Sequence, residues 1–457
     1  MCESGQGAAL TSQHQQNQKS HKALVSEGSL CDMRISSSMA NKPGSAPGFY
    51  NPKRQIGRDF VVLSVANWLY NDAIKCAAKY DGSKGSDTIM SRPARVLDAA
   101  CATGIQGLRT FVESPILAEA MLKTKQTQSQ NSEILKLTEL QLVLNDMDAN
   151  AIEIANENAN SVLCNSELNL NSTIKVSHRV AQATMHEETF EVSILDPFGS
   201  VQPFLDAALS RAPNGGLIEV CATDVGVLYG TRPSIAARHY HAHLAQKRPP
   251  CYRERGVRLL YAAIAQAAGR HDRGVEPVYC ISTEHYCLVS MRVLRGAKAA
   301  DFTAGHLKAV KICRSCGAAS KGVRTEVGTI EPPSCECKPI DGAGADAKTE
   351  GPLWVGSLHD LDTVNSMAEI AGLEEAKGLM SKETLVLLQK LQEEAAIKNM
   401  FHRRPGVAAK GRTPKLTEVM GELQRRGFRT ARTHFCAKSL KTEASAQEFD
   451  AAVKALL

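Results

Sequence analysis

No apolar run in this 457-residue chain is long enough to cross a membrane, so no transmembrane helix and no membrane partner are expected. The apolar core of a secretory signal peptide is also missing near the start. The fourteen cysteines are therefore spread too thinly for an extracellular disulfide scaffold, and free thiols in a reducing compartment, with one metal site, are expected instead. A strong charge of either sign is absent too: 54 Lys and Arg against 48 Asp and Glu leave +6, so any polyanion contact must come from local clusters. What is present is globular, with 43% apolar and 22% charged residues, and the length suits two or three domains.

Residues 1–48 are rich in Ser, Gln, Asn and Gly and have almost no apolar periodicity, so a disordered leader is expected there. From residue 49 to about 300, short apolar runs alternate with helical stretches. Arg95 to Ala100 reads as a strand ending in the turn Thr103-Gly104, with Leu108 and Phe111 at helical spacing beyond it. Further strands are predicted at Leu140–Leu144, Val192–Leu195 and Gly216–Val220, with helices at Ala149–Asn158 and Val201–Arg211 between them. The pattern predicts an α/β fold with a mostly parallel, doubly wound sheet. Thr124 to Glu133 reads as an inserted loop.

Residues 301–457 read as a smaller α+β domain with a cysteine cluster. In it, Ser381 to Asn399 forms an amphipathic helix with Leu385, Leu388 and Leu391 on one face. Thr413-Pro414 opens a second helix, which ends at Gly427, and Phe428 to Phe435 follows as a strand.

Four constellations carry chemistry. The turn from Asp98 to Gly107, including Thr103 and Gly104, lies where a doubly wound fold binds its ligand. It lacks the full G-x-G-x-x-G fingerprint, so a nucleoside without a pyrophosphate suits it better. Asp146, closing the next strand, can accept the two hydroxyl protons of a ribose. In Asp196-Pro197-Phe198-Gly199 the sequence supplies an acceptor for amine protons, a rigid turn and a flat side chain for stacking a base, which are the parts needed to methylate an exocyclic aromatic amine. Cys313-x-x-Cys316 and Cys335-x-Cys337 have nearly the spacing of a zinc ribbon; with four thiolates and no open position, Zn2+ there would be structural. Between Lys398 and Lys441 stand twelve Lys and Arg against two acids, with His402, His434, Phe401, Phe428 and Phe435 interleaved, as in a surface that binds nucleic acid. A milder cluster, Lys247, Arg248, Arg253, Arg255, Arg258, Arg270 and Arg273, is expected to line the approach.

The order of motifs resembles the tRNA (guanine, position 26)-N2-dimethyltransferase family. Carrying the resemblance are Phe49-Tyr50-Asn51-Pro52 with Arg58-Asp59, Asp98 to Arg109, Asn145 to Ala151, Leu195 to Ser200, Tyr252-Arg253-Glu254, Gly351 to Trp354 and Thr413 to Thr442. It implies a class I methyltransferase domain using S-adenosyl-L-methionine at 49–300, then a tRNA-gripping domain at 301–457. No obligate protein partner is evident. By the same resemblance Arg58 and Arg109 contact the cofactor, Asp146 its ribose, and Gln182-Ala183 its adenine, while Asp196, Pro197 and Phe198 hold the guanine. Gly57, Gln106, Gln182, Arg253 and Leu288 depart from the family pattern, which leaves another RNA guanine, or a silent tRNA-binding paralogue, as alternatives. The nucleus is the expected compartment, with mitochondrion and cytoplasm as alternatives.

Overall fold

The computed structural model describes residues 22–36, 49–78, 93–129, 137, 139–164, 173–320, 322–323, 330–331, 333, 335, 347–405 and 414–457. Part of the stretch expected to be a disordered leader is folded. There β1 (Lys22–Glu27) and β2 (Leu30–Ser36) form an antiparallel hairpin, the rest of 1–48 lying outside the described residues. The reason is tertiary: Leu30, Met33 and Ile35 enter a core supplied by distant helices, and the Arg34 N–H donates to Asn158 Oδ1 at 2.7 Å.

The expected doubly wound sheet is present. It comprises β3 (Ala94–Asp98), β4 (Leu140–Asp146), β5 (Thr173–His178), β6 (Val192–Leu195), β7 (Leu217–Ala222), β8 (Arg273–Ser282) and β9 (Cys287–Arg295) in the order β5-β4-β3-β6-β7-β9-β8. The first five in that order run parallel, and β9 is antiparallel to both of its neighbours. β6 and β7 are buried throughout, as parallel strands covered on both faces must be. Successive residues therefore feed different cores. Val96 joins the one formed with helices Gln55–Ala78 and Ile105–Ser129, while Leu97 joins the one formed with helices Gln202–Ser210 and Tyr252–Gly269. Truncating Phe60 or Phe111, both in the first core, costs about 3–5 kcal/mol. Helix Ile105–Ser129 extends through Thr124, so the expected inserted loop is helical in its first part.

Beyond β9, β10 (Leu307–Cys313) pairs antiparallel with β11 (Ala347–Trp354). The chain then returns to the main sheet's helical layer, where helices Leu361–Ala371 and Lys382–Ala395 bury Val364, Met367, Leu388 and Leu391. Leu385 does not join them and stays 43% exposed, so the apolar face is narrower than the sequence suggests. A last small core, around Val419, Leu423 and Phe449, unites helix Leu416–Arg425, the hairpin of β12 (Thr430–Arg432) and β13 (Leu440–Thr442), and helix Ala446–Lys454. The strand expected over Phe428 to Phe435 is confined to β12. Helix Leu416–Arg425 is capped by Lys415, and Thr413, expected to cap it, lies outside the described residues. No helix among the described residues is long and apolar enough to span a membrane.

Candidate active site

The strand order reverses at β3, whose neighbours β4 and β6 lead to opposite halves of the sheet, and the predicted residues converge at the carboxyl ends of these three strands. Ala102 (φ 50°) and Gly104 (φ 79°) take left-handed conformations that fold the turn after β3 tightly. Gly107 is required for a different reason: a Cβ there would lie 2.6 Å from Leu144 Cδ2. Its N–H donates to Asp98 Oδ2 at 2.9 Å. Burial, joined by the charges of Asp196 and Asp146, pushes the Asp98 carboxyl up to about 7 against that hydrogen bond. Asp146 accepts from the Ala102 N–H at 2.9 Å and from the Asp148 N–H at 3.0 Å, tying the ends of β3 and β4 together. Thr103 is buried, and its carbonyl accepts from Asn158 Nδ2 at 2.8 Å. Gln182 and Ala183 lie half-buried just past the end of β5, with Gln182 Nε2 donating to the Pro203 carbonyl at 3.3 Å.

At the end of β6, Pro197 is buried and Phe198 is 71% exposed, its ring touched edge-on by Phe49 at 5.0 Å between centroids. The Gly199 N–H, held by Thr223 Oγ1 at 2.7 Å, fixes the turn that presents them. Asp196 forms an ion pair with Arg54 at 2.5 Å. Sequence reasoning misses Arg54: it follows Asn51-Pro52 in a 3-10 turn, and nothing in its spacing ties it to a residue 142 positions away.

The two arginines expected at the cofactor both pair with Glu27. Arg58 donates to both oxygens of Glu27, at 2.6 and 2.5 Å. Arg109 has no exposed side-chain surface, and its guanidinium is shared among Glu27, Asp59, Glu113 and the Leu379 carbonyl. Glu27 comes from the hairpin inside the expected leader, so no sequence signal points to this cluster. Despite burial, Arg58 and Arg109 hold the Glu27 carboxyl below its ordinary value. Two of the departures from the family pattern are neighbours in space, since a Cβ on Gly57 would lie 3.6 Å from Leu288 Cδ2. Gln106 Nε2 donates within its own helix to Thr110 Oγ1 at 3.2 Å, while Arg253 pairs with Glu284 and donates to the distant Phe435 carbonyl at 3.1 Å.

Cys313, Cys316 and Cys335 bring their Sγ atoms within 4.8 Å of one another, while Cys337 lies outside the described residues. Gly317, at φ 75°, makes the turn, and the Ala318 N–H donates to Cys316 Sγ at 3.4 Å. Three converging buried or half-buried thiols with an amide hydrogen bond to sulfur suit a thiolate-bound ion.

The basic stretches divide between interior and surface. Arg403 and Lys441 are buried, as are Arg255, Arg258 and Arg273 of the milder cluster, which therefore do not line an approach for RNA. Their sequence proximity concealed buried acidic partners: Glu350 takes Arg255, and Glu254 takes Arg258 and Lys441. Lys415, Arg425, Arg429, Arg432 and Lys438 remain exposed.

The family model described as "N2,N2-dimethylguanosine tRNA methyltransferase" matches residues 32–136 and 132–454. The tRNA (guanine(26)-N(2))-dimethyltransferase of Methanopyrus kandleri is 27% identical over 437 residues, covering 94% of this chain and 95% of the relative. The human tRNA (guanine(27)-N(2))-dimethyltransferase is 26% identical and covers 89% of this chain and 60% of its own length. The solved complex of Trm1 from Pyrococcus horikoshii with S-adenosyl-L-methionine is similar at a TM-score of 0.69 and 26% identity, over 94% of this chain and 99% of that one.

Proposed function

The chain belongs to the N2,N2-dimethylguanosine tRNA methyltransferase family, and on that premise we propose that it transfers methyl groups from S-adenosyl-L-methionine to the exocyclic N2 of a guanine in tRNA. The observation that carries the reading is Asp196 at the end of β6, beside the exposed ring of Phe198 and adjoining the turn after β3. That turn fits a nucleoside: a left-handed bend, a glycine whose Cβ would clash, and two carboxylates at strand ends.

S-adenosyl-L-methionine supplies an electrophilic methyl group on a sulfonium. The protein's task follows from the weakness of the nucleophile, because the guanine amine shares its lone pair with the ring. Phe198 stacks the extruded base, and Pro197 keeps the turn rigid. Asp196 accepts one N2 proton and so offsets the positive charge that develops on nitrogen as the new bond forms. Asp146 retains lone pairs beyond its two backbone donors and holds the ribose hydroxyls, Gln182 and Ala183 flank the adenine, and Asp98 braces the turn through Gly107. Arg58 and Arg109 act here through Glu27, by anchoring the N-terminal hairpin against helix Ile105–Ser129. Cys313, Cys316, Cys335 and Cys337 are assigned a structural zinc ion.

The test is incubation with labelled S-adenosyl-L-methionine and unmodified tRNA transcripts, followed by nucleoside analysis. N2-methylated guanosine is expected from the wild type. Asp196→Asn is expected to lower turnover by about 10²–10⁴-fold while cofactor affinity is kept. Wild-type turnover in that variant refutes the assignment of Asp196.

A further inference from the structure

We infer that Arg54 is a positioning residue for methyl transfer: it fixes one oxygen of Asp196 and so leaves the other to receive the amine proton. The inference rests on the methyltransferase reading above and adds a residue that no motif in the sequence points to. Arg54 sits in the short 3-10 turn Pro52–Arg54, whose cap Asn51 accepts from the Lys53 N–H at 3.0 Å. That turn leads directly into helix Gln55–Ala78, so the arginine projects from a stiff backbone.

Three contacts hold its guanidinium. Nη2 reaches Asp196 Oδ2 at 2.5 Å, Nη1 reaches Cys221 Sγ on β7, and the guanidinium carbon lies 4.1 Å from the centre of the Tyr286 ring. Only 11% of the side chain is exposed, against 34% for Asp196. Arg54 is thus packed behind the carboxylate while the carboxylate itself faces the cleft. Tyr286, just before β9, is buried and its hydroxyl has no hydrogen-bond partner among the described residues, so the ring serves as a flat support for the cation.

Electrostatics explain why an acceptor here needs such a partner. Asp196 shares the strand ends with Asp98 and Asp146, two further carboxyls whose fields overlap its own. Among the described residues, Arg54 is the cation in an ion pair with Asp196. A guanidinium fits the task better than an ammonium because it is planar and can bind the oxygen, the sulfur and the ring face at once. A carboxylate free to rotate would lose the alignment between its acceptor lone pair and the amine, and misplacement of that order costs about 10²-fold in rate.

The experiment is single-turnover methylation of a tRNA transcript by wild type, Arg54→Gln and Arg54→Lys, with cofactor and tRNA affinities measured alongside. Arg54→Gln is expected to cut the methyl-transfer rate by about 10²-fold with both affinities within about twofold of wild type, and Arg54→Lys to recover part of the loss. A loss confined to cofactor or tRNA affinity, an unchanged rate, or a faster rate in Arg54→Gln overturns the inference, the last by showing that Arg54 masks Asp196 rather than aligning it. Melting temperatures separate misfolding from the effect sought, and the lysine variant supplies the reading if the glutamine variant is unfolded. If wild type itself transfers no methyl group to guanosine, the methyltransferase reading falls and this inference falls with it, whereas an active wild type isolates the role of Arg54.

Discussion

Lys441 Nζ, on β13, donates to Glu254 Oε1 at 3.0 Å, joining positions 187 residues apart in a fully buried contact. The same carboxylate takes Arg258 at 2.8 Å and the Nδ1 of His402 at 3.0 Å, together with the backbone N–H groups of Phe401 and His402. One glutamate from the helix before β8 thereby clamps the C-terminal module onto the methyltransferase sheet. Burial alone would push its carboxyl up, but Lys441 and Arg258 hold it well below the ordinary range.

Glu254→Gln is accordingly expected to destabilise the protein by about 3–5 kcal/mol, because Lys441 and Arg258 stay buried without their counter-charge. Denaturant unfolding monitored separately by tryptophan fluorescence and by circular dichroism is the check, and a loss under about 1 kcal/mol contradicts the clamp.

The exposed arginines of the C-terminal module lead to a different measurement. Arg425 and Arg426 reach back from the surface to Glu422, which lies largely buried beneath them, while Arg429 and Glu443 pair in the open. An exposed pair such as Arg429–Glu443 contributes little to stability, so its arginine can exchange a carboxylate for a phosphate at small cost. Reversing Arg425, Arg426 and Arg429 to Glu should weaken tRNA binding and reduce the slope of log affinity against log salt by roughly one for each phosphate no longer neutralised. An unchanged slope removes this face from the tRNA surface.

For the cysteine cluster, metal analysis of protein purified without chelator is expected to find a single zinc ion per chain. Cys316→Ser, at one of the converging thiols, should release it and lower the melting temperature. Metal-free protein with unchanged stability would show the thiols to be packing residues.

Glu219, wholly enclosed on β7, accepts from Tyr279 Oη at 2.9 Å and from Ser290 Oγ at 2.8 Å, and burial pushes its carboxyl up to about 7 from an ordinary value of 4.5. A folded pKa above the unfolded one means that the native state holds the proton longer. The contribution of this group is therefore fully present below 4.5 and is lost as pH rises through about 7. Glu219→Gln stays neutral, so its melting temperature relative to wild type is expected to climb between about pH 4.5 and about pH 8. A constant difference across that range contradicts the raised value.

Periodicity and local chemistry carried much of this molecule. Arg95 to Ala100, Val192 to Leu195 and Gly216 to Val220 read as strands because they are mostly apolar, and strands formed there at Ala94–Asp98, Val192–Leu195 and Leu217–Ala222. Asp98, Asp146 and Asp196 could be picked out because each ends such a run, and strand ends are where this topology opens its cleft. The edge strand β5 was not legible, since Thr173 to His178 is largely exposed and mixes polar with apolar residues.

What only the tertiary structure decided concerns partners distant in sequence. Glu27 meets Arg58 and Arg109, Arg54 meets Asp196, and Glu254 meets Lys441; the shortest of these separations is 31 residues and the longest 187. No period or motif encodes such a meeting, because it depends on how helices and strands stack after they form. The same holds for charge: a run of arginines reads alike whether solvated or buried, and only packing decided that Arg255 and Arg258 are interior while Arg425 and Arg429 face water. The sequence by itself determined the strands, the turn and the acceptor at their ends, since these rest on local hydrophobicity and backbone geometry. The cations that steady that acceptor and join the two parts of the chain were settled by folding, because a buried charge finds its counter-charge only where the fold encloses both.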